Sequence, residues 1–291
     1  MIKKIFRRLS LLFKSIFLSF FFFFRGCFCR TTLKNGNVKF VVSLTTYGWR
    51  YNFVFLTIES IFFQEVRPSV IYLWIHKDEH ISPIAKWFLQ RQIKRGLIVR
   101  YVERDIRSYK KLSYIISDTD CSFDFIITAD DDVFYPRYWV RNFVEHPKVN
   151  SHILCNRGRV ITFESNTEQL KAYKYWPLAN SSHNSSNCIL PTGVSGICYP
   201  IKALDMRISD FDSIEKLCPY ADDIWYKMIT TANGYKSVIL ERSIDHFPPL
   251  VTSLTKGLEK MNVNEDLNTR QFTNSLSYFG LGKDSFEREF Q

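Results

Sequence analysis

Three consecutive carboxylates, Asp130, Asp131 and Asp132, are the residues whose type and spacing most directly indicate chemistry. They follow the apolar run 125–128, which predicts a buried strand. In an extended chain the side chains of Asp130 and Asp132 fall on one face. Adjacent carboxylates repel each other unless a cation lies among them, and Mg²⁺ or Mn²⁺ binds oxygen ligands while keeping positions free for substrate phosphate. The triplet predicts a divalent-metal site; the alternatives are a solvated acidic turn or Asp131 capping a following helix.

A second acidic pair, Asp222 and Asp223, precedes an apolar stripe at helical spacing. The stripe consists of Ile224, Trp225, Met228 and Ile229. This spacing places both acids in the first turn of a helix, where the helix dipole alone favours them. A carboxylate beside an attacking hydroxyl also serves as a general base, which contributes about 10² to 10⁴ in rate. The sequence leaves both interpretations open.

None of the eleven glycines lies in a Rossmann or Walker pattern, so a nucleotide diphosphate bound here would lack the usual backbone cradle. The segment 193–196, Gly-Val-Ser-Gly, is not a nucleophile elbow, because the Gly-x-Ser-x-Gly pattern is absent. Its small residues suit either a plain turn or a backbone that passes closely beneath a sugar. A metal ion held by the aspartate triplet is therefore the expected means of neutralising a diphosphate.

The elements that must position these residues alternate between strand and helix patterns. Strands are predicted at residues 40–44, 70–76, 97–103 and 125–128, and amphipathic helices around residues 54–62, 84–88 and 112–116. Short connections between such elements call for a mostly parallel sheet covered by helices on both faces. Ligands of such sheets bind beyond the carboxyl ends of the strands, so residues 45–48 and 130–132 are expected to open onto one crevice. After Pro136 the alternation becomes irregular.

The net charge of +10 is concentrated at the N-terminus, because residues 1–34 hold eight Lys or Arg and no acid while the rest of the chain carries only +2. A nucleic-acid partner is not expected, since the sequence has no basic helix with base-reading residues and no finger or RNA-binding signature. The seven cysteines show no paired metal spacing, and they do not form a secreted disulfide framework. A reducing compartment fits best.

Residues 9–24 are apolar except for Lys14 and three serines, and basic residues flank the run on both sides. A membrane crossing needs about 20 apolar residues and only about ten follow Lys14, so we expect a helix that lies in the membrane interface. A signal anchor and a cleaved signal peptide are the alternatives. Arg25 disfavours cleavage, which requires small residues at that point. Residues 1–34 are therefore expected to form a basic, apolar membrane-associating arm.

Four sequence blocks in this order resemble bacterial GT-A glycosyltransferases, of family-2 type, encoded with lipopolysaccharide or capsule synthesis. The blocks are SLTTYG at 43–48, YKKL at 109–112, TADDDVFYP at 128–136 and PYADDIW at 219–225. The resemblance spans residues 38–280. It implies the GT-A fold of nucleotide-diphospho-sugar transferases for a domain at 35–291, with a nucleotide-sugar-binding half at 38–136 and an acceptor-binding half at 137–291.

The resemblance also implies roles for the acidic residues. Residues 130–132 would form the DXD element, with Asp132 as a direct metal ligand and Asp130 facing the ribose or the metal. His246 would be a further metal ligand, with a merely packed histidine as the alternative. One acid of the later pair would bind the acceptor or act as general base, and Asp223 is preferred over Asp222.

The donor pocket implied by the resemblance is lined by Thr45, Thr46, Tyr47, Arg50, Lys110, Lys111, Asp130 and Asp131. Hydroxyls at a strand end pair with the edge of a base, and an aromatic ring covers its face. One of the two lysines, or Arg50, would meet phosphate or base. Core threonines and surface lysines are the competing interpretations.

The sequence thus predicts a metal-dependent glycosyltransferase that takes a sugar from a nucleotide-diphosphate donor, with a UDP-sugar preferred. The predicted acceptor is a lipid-linked or core oligosaccharide in bacterial surface polysaccharide synthesis. The predicted cofactor is Mn²⁺ or Mg²⁺. The expected location is cytoplasmic, peripheral on the inner face of the inner membrane. Two alternatives remain: a sugar-phosphate nucleotidyltransferase, and a non-catalytic membrane-attached scaffold of the same fold.

Overall fold

A seven-stranded sheet lies at the centre of the molecule. The computed structural model describes residues 2–33, 40–118, 123–165, 167–183, 185–240, 247–253 and 266–286. The strands are β1 Phe40–Thr45, β2 Val70–His76, β3 Leu97–Val102, β4 Phe125–Ala129, β5 His152–Cys155, β6 Gly158–Val160, β7 Ile189–Pro191, β8 Ile197–Pro200 and β9 Lys236–Ile239. The order in the central sheet is β3-β2-β1-β4-β8-β5-β9, and β6 pairs with β7 in a separate antiparallel sheet.

Helices cover both faces of this sheet. Their bounds are α1 Ile2–Phe28, α2 Val54–Phe62, α3 Pro83–Ile93, α4 Lys110–Asp118, α5 Trp139–Val144, α6 Phe211–Leu217, α7 Asp222–Ala232 and α8 Leu267–Phe279. The helices predicted around 54–62, 84–88 and 112–116 correspond to α2, α3 and α4. The acidic pair begins α7, as its apolar stripe predicts.

The half of the sheet formed by β1 to β4 is parallel, which confirms the prediction from the alternating pattern. Strands β1 and β4 are almost wholly buried because apolar residues point to both faces. Their register pairs Ser43 with Thr128 and Leu44 with Ala129. The two strands end side by side, so the residues that follow them emerge at the same edge of the sheet.

The second half of the sheet departs from the simple alternation. Strand β8 runs antiparallel to both β4 and β5, whereas β9 is parallel to β5. Strands β5 to β9 have only three or four residues each, too few to produce a recognisable period. This is why the sequence after Pro136 looks irregular although it contributes three strands to the central sheet.

Two apolar cores fill the opposite faces of the sheet. Val41 and Ile126 belong to one core, and the next residue of each strand belongs to the other, as the alternation of side chains along a strand requires. Helices α4, α7 and α8 cover the first face, and α2 and α5 cover the second. The sheet is thus held on both sides, and its carboxyl edge is left for the site.

Helix α1 packs against the domain through its C-terminal half. Phe22 is buried in a third apolar cluster, with Phe55, Leu56, Phe88, Phe134 and Leu250. The Nε of Arg25 lies 3.7 Å from Glu59, a fully buried carboxylate that also pairs with Arg95 at 2.5 Å. By length and composition, Leu9–Phe28 could span a membrane, although core helices and signal sequences meet the same criterion.

Candidate active site

Asp131 lies at the junction of β4 with the segment that follows β1. Thr46 Oγ1 donates to Asp131 Oδ2 at 2.5 Å, and Arg50 Nη1 donates to Asp131 Oδ1 at 2.8 Å. The backbone carbonyl of Asp131 also accepts from Thr57 Oγ1 of α2 at 3.0 Å. Burial raises the pKa of this carboxyl, while Arg50 acts against that shift. Asp131 is neither a solvated turn nor a helix cap, because its side chain is only 5% exposed and is fixed by two donors.

Asp130 and Asp132 stand on either side of this fixed carboxylate and are more accessible. Their side chains are 31% and 25% exposed. Arg50 Nη2 lies 3.1 Å from Asp132 Oδ2, and Lys111 Nζ lies 3.4 Å from Asp130 Oδ1. Burial raises the pKa of both acids, and repulsion from a neighbouring carboxylate adds to it. These are the two acids of the triplet that remain open to a ligand.

Tyr135 fixes the backbone at the end of β4. The amide of Asp130 donates to Tyr135 Oη at 2.7 Å, and the amide of Tyr135 donates to Ser60 Oγ of α2 at 3.0 Å. The aromatic ring lies against Trp139, with centroids 4.0 Å apart. Tyr135 belongs to the third of the four sequence blocks, residues 128–136. The sequence offered no reason to single it out, because its hydrogen bond with Asp130 depends on how the chain turns after the aspartate triplet.

Lys111 connects the triplet with the second acidic pair. It follows the first residue of α4, and its Nζ lies 3.4 Å from Asp130 Oδ1 and 3.3 Å from Asp222 Oδ2. Although burial opposes its charge, Asp222 and Asp130 raise the pKa of Lys111 well above its usual value. The ammonium group is therefore a fixed positive charge between two acidic groups that are about ninety residues apart in sequence.

The two acids of α7 have different surroundings. Asp222 Oδ1 accepts from Ser108 Oγ at 2.9 Å, and its other oxygen faces Lys111. Asp223 Oδ2 accepts from the amide of Gly193 at 2.8 Å. Asp223 Oδ1 is buried and has no hydrogen-bond partner within the described part of the chain. Burial, reinforced by the charge of Asp222, raises the pKa of Asp223 to about 7.

The loop between β7 and β8 contacts this cluster, and both of its glycines lie close to other side chains. A Cβ on Gly193 would lie 3.0 Å from Lys111 Nζ and 3.3 Å from Asp223 Oδ1. Gly196 has φ +93°, and a Cβ there would lie 2.7 Å from the ring of Trp139. The segment forms a turn, closed by the hydrogen bond from the amide of Gly196 to the carbonyl of Gly193 at 2.9 Å, and its passage beneath a sugar stays a prediction.

The remaining predicted residues divide into those near the cluster and those turned away from it. Tyr47 is partly exposed, and the guanidinium carbon of Arg50 lies 5.1 Å from its ring centre. Thr45 Oγ1 donates to the carbonyl of Trp74 at 2.9 Å. Lys110 is buried and its Nζ pairs with Asp105 rather than with the triplet. His246 lies outside the described residues, so its predicted metal ligation stays a prediction.

The acidic cluster fits a divalent cation by its charge, although not as a closed protein cage. Five carboxylates, those of residues 130–132, 222 and 223, share two cationic side chains, Arg50 and Lys111. No group of three metal-ligating side chains converges on one point within the part of the chain that the structure describes. A metal held by Asp130 and Asp132 would therefore take its other ligands from water and substrate phosphate, as Mg²⁺ and Mn²⁺ commonly do.

The fold has a counterpart among solved structures. The mannosyltransferase PcManGT from Pyrobaculum calidifontis, solved in complex with GDP-Man and Mn²⁺, is similar to 92% of this chain over 74% of its own, with a TM-score of 0.51 and 10% identity. The chain has the GT-A fold. This confirms the fold predicted from the four blocks, and at this identity the likeness concerns the fold alone.

Two further structures are similar at lower scores. S. aureus TarS (residues 1–349) is 15% identical, with a TM-score of 0.44, over 83% of this chain and 72% of that one. The 4-diphosphocytidyl-2C-methyl-D-erythritol synthase from Anaerococcus prevotii is 12% identical, with a TM-score of 0.43, over 79% of this chain and 96% of that one. No protein-family model matches the sequence, and no curated protein matches it.

Proposed function

We propose that the protein is a metal-dependent glycosyltransferase that transfers a sugar from a nucleotide-diphosphate donor to a glycan acceptor. The observation that carries this proposal is the position of Lys111, between Asp130 at the end of β4 and Asp222 at the start of α7. The acids that would bind the cation and the acidic pair that would accept the proton thereby lie on either side of one ammonium group. The GT-A fold, and the GDP-Man and Mn²⁺ present in the similar mannosyltransferase, agree with it.

On the donor side, Asp132 and Asp130 would hold Mn²⁺ or Mg²⁺. Bound there, the metal supplies Lewis-acid stabilisation of the charge that develops on the departing nucleoside diphosphate. Arg50 holds Asp131 and Asp132 in place and adds positive charge near the same phosphates. Tyr47, partly exposed beside Arg50, would cover the face of the base. A UDP-sugar is the donor we favour.

On the acceptor side, Asp223 would take the proton of the attacking hydroxyl at its free Oδ1. Its other oxygen is held by the amide of Gly193, which fixes the orientation of the carboxylate. A carboxyl with a pKa of about 7 accepts a proton readily at neutral pH. Lys111 positions the acids through Asp130 and Asp222. Direct displacement with this base would invert the sugar.

In the cell, the acceptor we propose is a lipid-linked or core oligosaccharide of bacterial surface polysaccharide, such as lipopolysaccharide or capsule. Residues 1–34, which include most of the excess basic charge, would hold the domain at the cytoplasmic face of the inner membrane. The support for this is the resemblance of the four blocks together with the apolar, basic composition of α1. Residues 35–291 would then form the transferase domain.

The proposal is tested by titrating UDP and GDP into the full-length protein by calorimetry, with and without Mn²⁺. We expect binding that requires the metal and that Asp132→Ala weakens at least about tenfold, since Asp132 would hold the metal that neutralises the diphosphate. The matched control is Asp212→Ala, an exposed acid paired with Arg104 away from the site. Binding that needs no metal, or that Asp132→Ala leaves intact, would refute the proposal.

The products of a screen of nucleotide sugars separate the two enzymatic alternatives. A glycosyltransferase releases free nucleoside diphosphate, and slow hydrolysis of the matching donor reveals it even without the acceptor. A sugar-phosphate nucleotidyltransferase releases pyrophosphate only from a nucleoside triphosphate and a sugar phosphate, so these two substrates form the second arm of the screen. Neither product from any donor, together with absent nucleotide binding, would favour the non-catalytic scaffold.

A further inference from the structure

Helix α1 presents a continuous apolar stripe to the outside of the molecule. The residues of this stripe recur every three or four positions and are each between 48% and 77% exposed: Phe6, Leu9, Phe13, Phe17, Phe20, Phe24 and Phe28. This spacing places them on one helix face. A contiguous apolar patch of this length is rare on a soluble monomer unless it binds something.

The apolar surface does not stop at α1 but continues onto the domain on both sides. A groove of about 360 Å³ lies between α1 and α3 and is lined by Phe23, Cys27, Pro83, Ile84, Trp87 and Phe88. On the other side of α1, a groove of about 280 Å³ includes Phe20, Phe53 and Val251. Ile84 and Trp87 of α3 are well exposed beside the first groove. The domain therefore contributes its own apolar side chains to the surface that α1 begins.

Buried charges and a tight helix contact fix α1 in this position. Arg91 Nε of α3 donates to the carbonyl of Gly26 at 2.9 Å, and a Cβ on Gly26 would lie 3.0 Å from the ring of Phe88. Arg25 approaches the buried Glu59 from the same side. Since α1 and α3 are held together by these contacts, their exposed residues form one surface.

The two helices that form most of this surface carry basic residues and no acid. Helix α3 contains no acid, and Lys86 and Lys94 at its surface are exposed. The guanidinium of Arg91 lies 5.0 Å over the ring of Trp87. Helix α1 also lacks acids and exposes Lys14. A surface with exposed Phe and Trp side chains and neighbouring Lys and Arg is typical of proteins that bind the headgroup region of an anionic bilayer.

The geometry points to one lipid-facing surface built from α1, α3 and the Val251 segment, which binds the domain to an anionic bilayer along its flank. Membrane contact is thus not confined to residues 1–34 but extends to Ile84 and Trp87. This inference goes beyond the proposed reaction and does not depend on it.

The surface lies directly behind the aspartate triplet. Phe22 of α1 stacks on Phe134, with ring centroids 5.4 Å apart and an interplanar angle of 17°. The amide of Leu250 donates to the carbonyl of Asp132 at 2.7 Å, and Leu250 itself belongs to the cluster around Phe22. One layer of side chains separates α1 from the acids, so the site would operate close to the bilayer.

The first test is sedimentation of the full chain with vesicles of phosphatidylcholine, with and without phosphatidylglycerol. We expect the anionic vesicles to bind more protein, and Ile84→Asp with Trp87→Asp to reduce that binding about tenfold. Tyr101→Asp, on β3 at an exposure (61%) between those of Ile84 (68%) and Trp87 (46%), is the control and should have no effect. Metal-dependent UDP binding is measured in parallel, because it reports on the site and should not change.

The second test remains informative if α1 alone binds so tightly that sedimentation does not respond. Bromine-labelled acyl chains should quench tryptophan fluorescence of the vesicle-bound protein, and Trp87→Phe should remove most of that quenching. Trp49→Phe, at a side chain of nearly the same exposure (47% against 46%) that lines neither groove, should keep it. Quenching that survives Trp87→Phe would overturn the inference. Self-association in place of lipid binding, abolished by the aspartate pair, would identify a second copy of the chain as the partner instead.

Discussion

At the scale of single residues, Asp222 and Asp223 each have one buried oxygen without a hydrogen-bond partner among the described residues, but that of Asp222 lies 3.3 Å from the ammonium group of Lys111. Asp131, by contrast, has both oxygens occupied by Thr46 and Arg50. A carboxylate with a free, oriented oxygen is ready to accept a proton, and a fully bonded one serves to hold the backbone. Asp223 and Asp131 therefore have separate tasks in the proposed reaction.

Asp223→Asn is expected to lower turnover by about 10² to 10⁴ while leaving the affinity for the donor nucleotide unchanged. In the native protein, kcat/KM for the acceptor should rise as the pH increases through about 7, because the base acts in its deprotonated form. The asparagine variant should lose this rise. Steady-state rates from pH 5.5 to 9, with nucleotide affinity measured by calorimetry, check both points; an unchanged pH profile would exclude Asp223 as the base.

The raised pKa of Asp223 also predicts how the stability of the folded protein changes with pH. The folded protein holds the proton of Asp223 more tightly than the unfolded chain, where an aspartate titrates at about 3.9. The contribution of this group to the free energy of unfolding therefore falls as the pH rises from about 4 to about 7. Compared with the native protein at the same pH, the asparagine variant should be more stable above pH 7 than it is below pH 5. Thermal unfolding of both proteins at the two pH values measures the difference.

The identity of the important acids could be predicted from the sequence, but their partners could not. The triplet and the pair were recognisable because each follows or begins an element with a clear period. The bonds from Arg50 to Asp131 and from Asp130 to Tyr135 depend on side-chain geometry at the sheet edge. Nothing in local spacing distinguishes Lys111, which faces the acids, from Lys110, which faces Asp105.

At the scale of elements, the site is an assembly of the ends of β1 and β4, the start of α4, the start of α7 and the loop between β7 and β8. The positions of the first three are predicted by the alternation of strand and helix patterns in the sequence, since parallel strands end at one edge of a sheet. The loop could not be placed beforehand, because β8 is antiparallel and its four residues give no periodic signal. It is nevertheless the loop that closes the space beside Asp223.

Gly193→Ala tests the contribution of this loop. The added Cβ would lie 3.0 Å from Lys111 Nζ and 3.3 Å from Asp223 Oδ1, so we expect turnover with acceptor to fall by at least about tenfold as the acids are displaced. Donor binding on the β4 side should change little. Gly282→Ala is the control, because a Cβ there meets nothing within 4 Å. Equal behaviour of the two variants in the transfer assay would contradict this role for the loop.

At the scale of the whole molecule, α1 belongs to the packed structure as well as to the proposed membrane surface. Composition alone suggested an arm that is separate from the domain. The structure places Phe22 inside an apolar cluster and Arg25 beside a buried carboxylate. These contacts involve residues that are distant in sequence, so a pattern read along the chain has no means of revealing them.

Two truncations test whether α1 is an independent appendage or a helix that stabilises the domain. Removal of residues 1–14 should leave the stability of the domain nearly unchanged, since Phe13 and Lys14 are exposed. Removal of residues 1–34 also removes Phe22 and uncovers Phe55, Leu56 and Phe134, which should lower the free energy of unfolding by about 3 to 5 kcal/mol. Denaturant unfolding of both proteins measures the difference. Equal stability of the two would show that α1 is an independent arm.

The packing of α1 also has a consequence for the order in which the protein is made. Phe22 leaves the ribosome before any of the side chains that bury it, and Leu250, the last member of that cluster, is added long after Phe22. Contacts between residues so far apart form late in folding. During synthesis the helix must therefore be sheltered by something other than its own domain, and a nascent chain kept away from lipid would be prone to aggregate.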